Sequence, residues 1–161
     1  MTNPSPTNFQ RMLALIDDVF ATRSDPDQLQ VDEAVIEKLQ AIHPATLGEY
    51  NEGNGPCVWV LVIPTTRAVM DDFLAGRITE QQPLDRTESG QPFEALYLCS
   101  ATVLPEYRRR GLALQLCVDA INAIQLKYPL QYLYTWPFTP EGRALAEHVA
   151  KKTGLTLFSL P

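Results

Sequence analysis

Histidine and cysteine are scarce in this chain: it has two of the first and three of the second among 161 residues. They form no cluster with zinc spacing, so no metal is expected. Cys57, Cys99 and Cys117 are odd in number, and each lies in an apolar stretch. That pattern argues against a disulfide framework and for reduced, buried thiols in a cytoplasmic protein. Long apolar runs are missing as well. The longest, CVWVLVI, falls far short of the ~20 residues a spanning helix needs, so no membrane partner is expected. The opening MTNPSPTNFQ has neither a basic segment nor an apolar core, and we expect no signal peptide. Positive charge is in deficit: 13 Lys and Arg against 19 Asp and Glu leave a formal net charge of −6. A general nucleic-acid or anionic-membrane surface wants the opposite balance. Repeats and low-complexity blocks are absent. So are G-x-G-x-x-G and G-x-x-x-x-G-K-[ST], which removes the dinucleotide fingerprint and the P-loop.

What is present describes an ordinary soluble globular chain, 45% apolar and 20% charged. Its length fits a single domain over 1–161 with room for a hydrophobic core. Phe9, Met12, Leu13, Ile16, Val19 and Phe20 recur at helical spacing and predict a first helix to about Arg23. SDPDQLQ reads as a turn-rich connection, and Asp32 as the cap of a second helix carrying Val35, Ile36, Leu39 and Ile42, stopped by Pro44. YNEGNGP predicts a tight turn and CVWVLVI a strand ended by Pro64. Thr65 or Thr66 caps a short helix with Val69, Met70, Phe73 and Leu74, closed by Gly76. TEQQPLDRTESGQP then reads as an exposed excursion and the least ordered part of the chain.

FEALYLCSATVL has two alternating faces, Leu96, Leu98, Ser100, Thr102 and Ala95, Tyr97, Cys99, Ala101, Val103. Neither is charged beyond Glu94, so the strand is expected to be central and covered on both sides. A helix follows from Gly111 to about Lys127 with Leu114, Cys117, Val118, Ile121 and Ile124 on one side. LQYLYTW is the next strand, which makes a right-handed crossover unit with parallel strands. Thr139, Pro140 and Gly154 frame a last helix, with Glu141 early and Lys151 and Lys152 late to suit its dipole. LTLFSL ends the chain as a short strand. The fold class is α/β (α+β): a mixed, partly parallel sheet flanked by helices, with at least one βαβ unit.

The stretch SATVLPEYRRRGLALQLCVDAI places Arg108, Arg109 and Arg110 between a strand and a helix. Unpaired N–H groups at a helix start point at one spot and favour an anion. Three cations there are costly unless something negative docks, and guanidinium forks suit phosphate oxygens. Gly111 offers no side chain against close approach, and Ala113 only a small one. The competing account is a solvated basic turn balancing an acidic surface.

This segment resembles motif A of the GNAT N-acetyltransferase family: an apolar strand, V-x-P, then R/Q-x-x-G-x-G/A, here Val103, Pro105, Arg108, Gly111 and Ala113. LQYLYTW resembles that family's next parallel strand, and RALAEHVAKKTGL its last helix, ending at Gly154-Leu155. The resemblance covers 94–158 and reaches the N-terminal half only in element order. It implies a GNAT-like domain using acetyl-CoA or another acyl-CoA as co-substrate. Main-chain N–H groups of Arg108, Arg109, Arg110, Gly111, Leu112 and Ala113 would wrap the pyrophosphate. The pantetheine arm would pair with Ala101, Thr102 and Val103, where this strand and the next splay apart. The acceptor would be an amine of a small molecule or peptide, in a pocket built from the first two helices and LDRTESGQP.

The chemistry is less legible. Where some members of the family carry a glutamate base this chain has Tyr97, whose ordinary pKa near ~10 makes it a poor base. Glu94 is the nearest carboxylate and would act through water; it reads equally as an exposed residue at a strand start. Tyr97 and Glu94 are the two catalytic candidates. The family's tyrosine acid is Ala150 here, and its asparagine partner is Arg143. Tyr132, Tyr134 and Trp136 lie beside the cleft, though aromatics in such a strand more often belong to the core. His148 reads as a surface residue, His43 as a helix-end residue, and Cys99 and Cys117 as buried thiols rather than acyl carriers. The alternative function is a CoA-binding GNAT-fold module with weak or no activity. A third, nucleic-acid contact through the arginines, conflicts with the net charge. The family often starts with a strand and ends with a strand pair, so short sheet edges and a homodimer are also expected.

Overall fold

A computed structural model describes residues 5–23, 33–137 and 139–160. The turn-rich connection at 24–30 and the Asp32 cap lie outside the described residues. Two helices open the chain, α1 (Asn8–Arg23) and α2 (Glu33–Ile42). In α1, Met12 is buried and Ile16 half-buried, whereas Phe9 and Leu13 remain exposed; the side chains of Val19 and Phe20 lie outside the described residues. His43 ends α2, its Nδ1 accepting from the Ala45 N–H at 3.0 Å, and starts a 3-10 turn over Pro44–Thr46.

The sheet contains five strands in sequence order: β1 (Leu47–Asn51), β2 (Pro56–Thr65), β3 (Ala95–Val103), β4 (Tyr132–Thr135) and β5 (Thr156–Ser159). β1–β2 and β2–β3 pair antiparallel, β3–β4 and β4–β5 parallel. The expected mixed, partly parallel sheet with helical crossovers is therefore present, with β3 at its centre. Both edges are short, five residues in β1 and four in β5.

Four sequence expectations need correction. β1 was not foreseen, because LGEYN has too few apolar residues to show a strand pattern before its pairing with β2 is known. β2 runs past Pro64 to Thr65. Beyond Leu61 it has lost β1 and keeps β3 on one side only, so a residue without an N–H is accommodated there.

The stretch after Gly76 is no loose excursion: it forms α4 (Gln81–Asp85), and Glu80, Leu84 and Thr87 are buried. Thr87 Oγ1 donates to the Pro83 carbonyl at 2.5 Å, closing that turn inside the molecule. Finally, β3 is covered only in its first part; Ser100 and Ala101 are exposed.

The remaining helices follow their sequence signals. In α3 (Arg67–Leu74) the Thr66 hydroxyl accepts from the Val69 N–H at 3.3 Å. In α5 (Leu112–Gln125) Cys117, Ala120, Ile121 and Ile124 are buried. In α6 (Pro140–Thr153) Thr139 Oγ1 accepts from the Gly142 N–H at 3.0 Å.

Helices divide between the two faces of the sheet. Gly48 and Val60 face Leu116 of α5. Trp59, one residue along, meets Phe9 of α1 with ring centroids 5.8 Å apart. Tyr97 and Tyr134 meet Phe73 of α3 on that same face, since Tyr97 pairs with Ile63, four residues from Trp59. Thus α1 and α3 cover one side, and α5, against which α6 packs, covers the other.

Candidate functional site

Parallel pairing of β3 with β4 runs from Ala95↔Tyr132 to Leu98↔Thr135 and stops. β3 continues to Val103 with β2 as its partner. Among the described residues no strand pairs with its other edge beyond Leu98, where the two parallel strands part. A bulge marks the same place: Leu61 pairs with Ser100 and Val62 with Leu98, so Cys99 is the extra residue of β3. The extra residue resets the alternation. Cross-strand partners share a face, so Ser100 and Thr102 fall with Tyr97, while Ala101 and Val103 fall with Leu98 on the α5 side. This corrects the unbroken two-face reading of the sequence.

The chain leaves β3 through a braced loop. Leu104 is buried, and its N–H donates to the Cys57 carbonyl at 2.9 Å. Pro105–Tyr107 makes one 3-10 turn. Arg11 of α1 grips Glu106 with both guanidinium nitrogens, and that hydrogen-bonded pair lowers the Glu106 carboxyl to about 2.

Arg108 spends its N–H on the Pro105 carbonyl at 3.3 Å and its Nε on the Val103 carbonyl at 3.2 Å. The Arg110 guanidinium lies over the Tyr107 ring, 5.0 Å from its centroid. Between them φ is positive at Arg109, 64°, and again at Gly111, 73°. Such left-handed steps turn successive N–H groups toward a common concavity that suits an anion. Gly111 supplies no side-chain cap to α5, so the N–H groups that begin the helix, Leu112 and Ala113 among them, receive no acceptor from that residue. All three arginines and Gly111 are exposed. Arg109 to Ala113 thus bring positive charge and the start of α5 to one exposed turn, and the Leu104–Arg108 loop joins that turn to the β3 edge at Ala101 and Thr102, with Arg108 Nε on the Val103 carbonyl. Arg108 differs from its expected part, since its N–H already has a carbonyl.

The two catalytic candidates lie elsewhere. Glu94 is half-buried just before β3, and its carbonyl accepts the Gln131 and Tyr132 N–H groups at 2.7 and 3.1 Å. At about 3.3 Å per strand residue it stands roughly 13 Å from Leu98, at the far end of the β3–β4 pairing. Tyr97 is fully buried, and its hydroxyl donates to Glu80 Oε2 at 2.6 Å. Burial first, and the neighbouring charges of Cys99 and Glu80, hold the Tyr97 hydroxyl well above its ordinary range. Tyr134, with its hydroxyl 2.9 Å from Thr65 Oγ1, is likewise raised by burial.

Glu80, buried to 3% exposure, was missed by sequence reasoning. It lines a cavity of about 200 Å³ together with Phe73, Ile78, Trp136 and Leu160. A shallower groove of about 390 Å³ runs along the start of α6, lined by Thr139, Arg143 and Glu147. His148 is exposed and Cys117 buried, the latter pushed up to about 12 by burial. Among the described residues, no helix is long and apolar enough to cross a membrane.

No protein-family model matches the chain, and no curated protein matches it. One solved structure similar to it is described as a GphF GNAT-like decarboxylase in complex with isobutyryl-CoA, with a TM-score of 0.44 and 15% identity over 88% of this chain and 74% of that one. A likeness at that level says nothing of substrate.

Proposed function

We propose that this chain is an acyl-CoA-dependent N-acyltransferase acting on an amine. The observation that carries the reading is the edge of β3 at Ala101 and Thr102, past the end of its pairing with β4, followed after the Pro105–Tyr107 turn by the left-handed residues Arg109 and Gly111. An extended pantetheine would add to that edge by main-chain hydrogen bonds while the diphosphate meets the N–H groups that begin α5. Arg109 and Arg110 supply charge beside it, and the Arg11–Glu106 pair holds the loop against α1. The group bound there brings a thioester carbonyl as electrophile. The amine nitrogen adds to that carbonyl, its proton passes to a base, and the thiolate departs with a proton in turn.

A second reading, a CoA-binding module without transfer, is favoured by Tyr97 being sealed in the core and by Arg143 and Ala150 at the places where the family has an acid pair. Calorimetric titration with CoA, followed by thiol release from acetyl-CoA across a panel of amines, separates the two. Binding with amine-dependent thiol release supports the transferase. Binding without it supports the module. No binding at millimolar CoA refutes both.

A further inference from the structure

We propose that the cavity between the α3–α4 connection and the C-terminal ends of β4 and β5 is the acceptor site, and that it takes a small primary amine whose ammonium group rests against Glu80. The meaning of "acceptor" rests on the acyltransferase reading; the cavity and its chemistry do not.

Size sets the first limit. About 200 Å³ corresponds to six or seven waters at their liquid volume of roughly 30 Å³ each, which admits a compact molecule or the end of one side chain. Phe73, Ile78, Trp136 and Leu160 make apolar walls. Glu80 brings the carboxyl group, and its orientation is fixed from below. The Tyr97 hydroxyl donates to Oε2 at 2.6 Å, and the Tyr97 ring is held by Phe73 and Tyr134, with centroids 5.0 and 5.1 Å away. Gly76, Arg77 and Thr79 complete the lining, and an acidic residue in it favours a cationic donor, because charge-assisted bonds are about twice as strong as neutral ones. A primary ammonium brings three donors on a compact centre, and an aromatic wall such as Trp136 adds a cation–π surface. Arg77, also at this cavity, is directed to Asp72 at 2.9 Å and is largely exposed, so its charge is offset at the rim.

Position sets the second limit. Trp136 directly follows Thr135, the last β4 residue paired with β3, so the cavity adjoins the point where the two strands part. Glu80 approaches through Tyr97, on the sheet face opposite α5. An amine held there comes to the parting strands from the side away from the anion-binding helix start. This places the acceptor at the α3–α4 connection rather than between the first two helices.

The test uses the full chain and the indole ¹⁵N–¹H resonances of its two tryptophans, titrated with benzylamine and with its neutral isostere benzyl alcohol. Benzylamine is expected to shift Trp136 and not Trp59, with at least tenfold lower Kd than the alcohol. Glu80→Gln should bring the two probes to the same weak affinity. Ile78→Trp should fill the cavity and remove both, which keeps the test decisive if Glu80→Gln lowers stability. No shift of Trp136, equal Kd for both probes in the unaltered chain, or an amine preference that survives Glu80→Gln overturns the proposal. CoA binding is measured on the same samples. Amine preference without CoA binding refutes the transferase reading and leaves this site standing; CoA binding without a Glu80-dependent preference refutes this site alone.

Discussion

Gly111→Ala distinguishes a ligand-binding turn from a merely strained one, and Gly154→Ala is its matched control. Gly111 opens α5 at φ 73° and ψ 14°, and Gly154 closes α6 at φ 78° and ψ 5°. A Cβ added at either meets no atom within 4 Å. Clash therefore contributes nothing, and the cost is conformational. The left-handed region costs an L-residue ~1–2 kcal/mol, and the stiffer unfolded chain returns ~0.4–1 kcal/mol. A net of about 1 kcal/mol follows for either variant, or a fall in Tm of roughly 2–4 °C at this chain length. The two differ only in what comes close from outside. At Gly111 the methyl group would stand where phosphate oxygens approach the N–H groups beginning α5. Losing even one charge-assisted bond of ~1.5–3 kcal/mol weakens CoA binding by about tenfold to a hundredfold. Calorimetry with CoA, with scanning calorimetry on the same samples, should give equal Tm shifts and unequal Kd shifts. Gly111→Ala with unaltered affinity, or equal losses in both variants, would refute the reasoning.

Glu106 offers a pH test. Arg11 holds its carboxyl at about 2, below the unfolded range near ~4.3. A depressed folded pKa stabilises above the unfolded value and fades as pH falls through the window from ~4.3 to about 2. Arg11→Met should raise the Glu106 midpoint in a ¹³C carboxyl titration, and its Tm deficit at neutral pH should close across that window. Cys99 is half-buried at the bulge, while Cys57 and Cys117 are buried, the latter at about 12. A thiol reagent at pH 8 should therefore modify Cys99 first, CoA should slow that reaction, and the other two should respond only on unfolding; rapid labelling of Cys117 in the native chain would contradict this. Tyr97→Phe removes the donor to buried Glu80 and should cost ~1–3 kcal/mol in urea unfolding while leaving the Kd for CoA unaltered.

The sequence alone was enough for whatever depends on near neighbours along the chain. Thr139 caps, Pro140 starts and Gly154 ends a helix because each acts within one turn of itself, whereas the choice of Thr66 over Thr65 as the α3 cap came with the end of β2 at Thr65. The α5 face at Cys117, Ile121 and Ile124 follows from a 3.6-residue period, and Gly111 reads as a site of close approach because it lacks a side chain. The alternation of helices with apolar strands led in the same way to a mixed sheet with parallel crossovers.

Only the tertiary structure decided where β3 loses β4, since that depends on where β4, more than thirty residues later, happens to stop. The bulge at Cys99, and with it the faces of Ser100 to Val103, is a matter of register against β2 and leaves no mark in SATV itself. Glu80 shows the same limit. In the polar string around it nothing distinguishes it from Glu88, yet Glu88 is exposed and Glu80 is buried and bonded to Tyr97. Caps and periods are local interactions, written in adjacent residues; strand separation and the burial of a carboxylate are set by partners distant in sequence, and exist only once those partners have met.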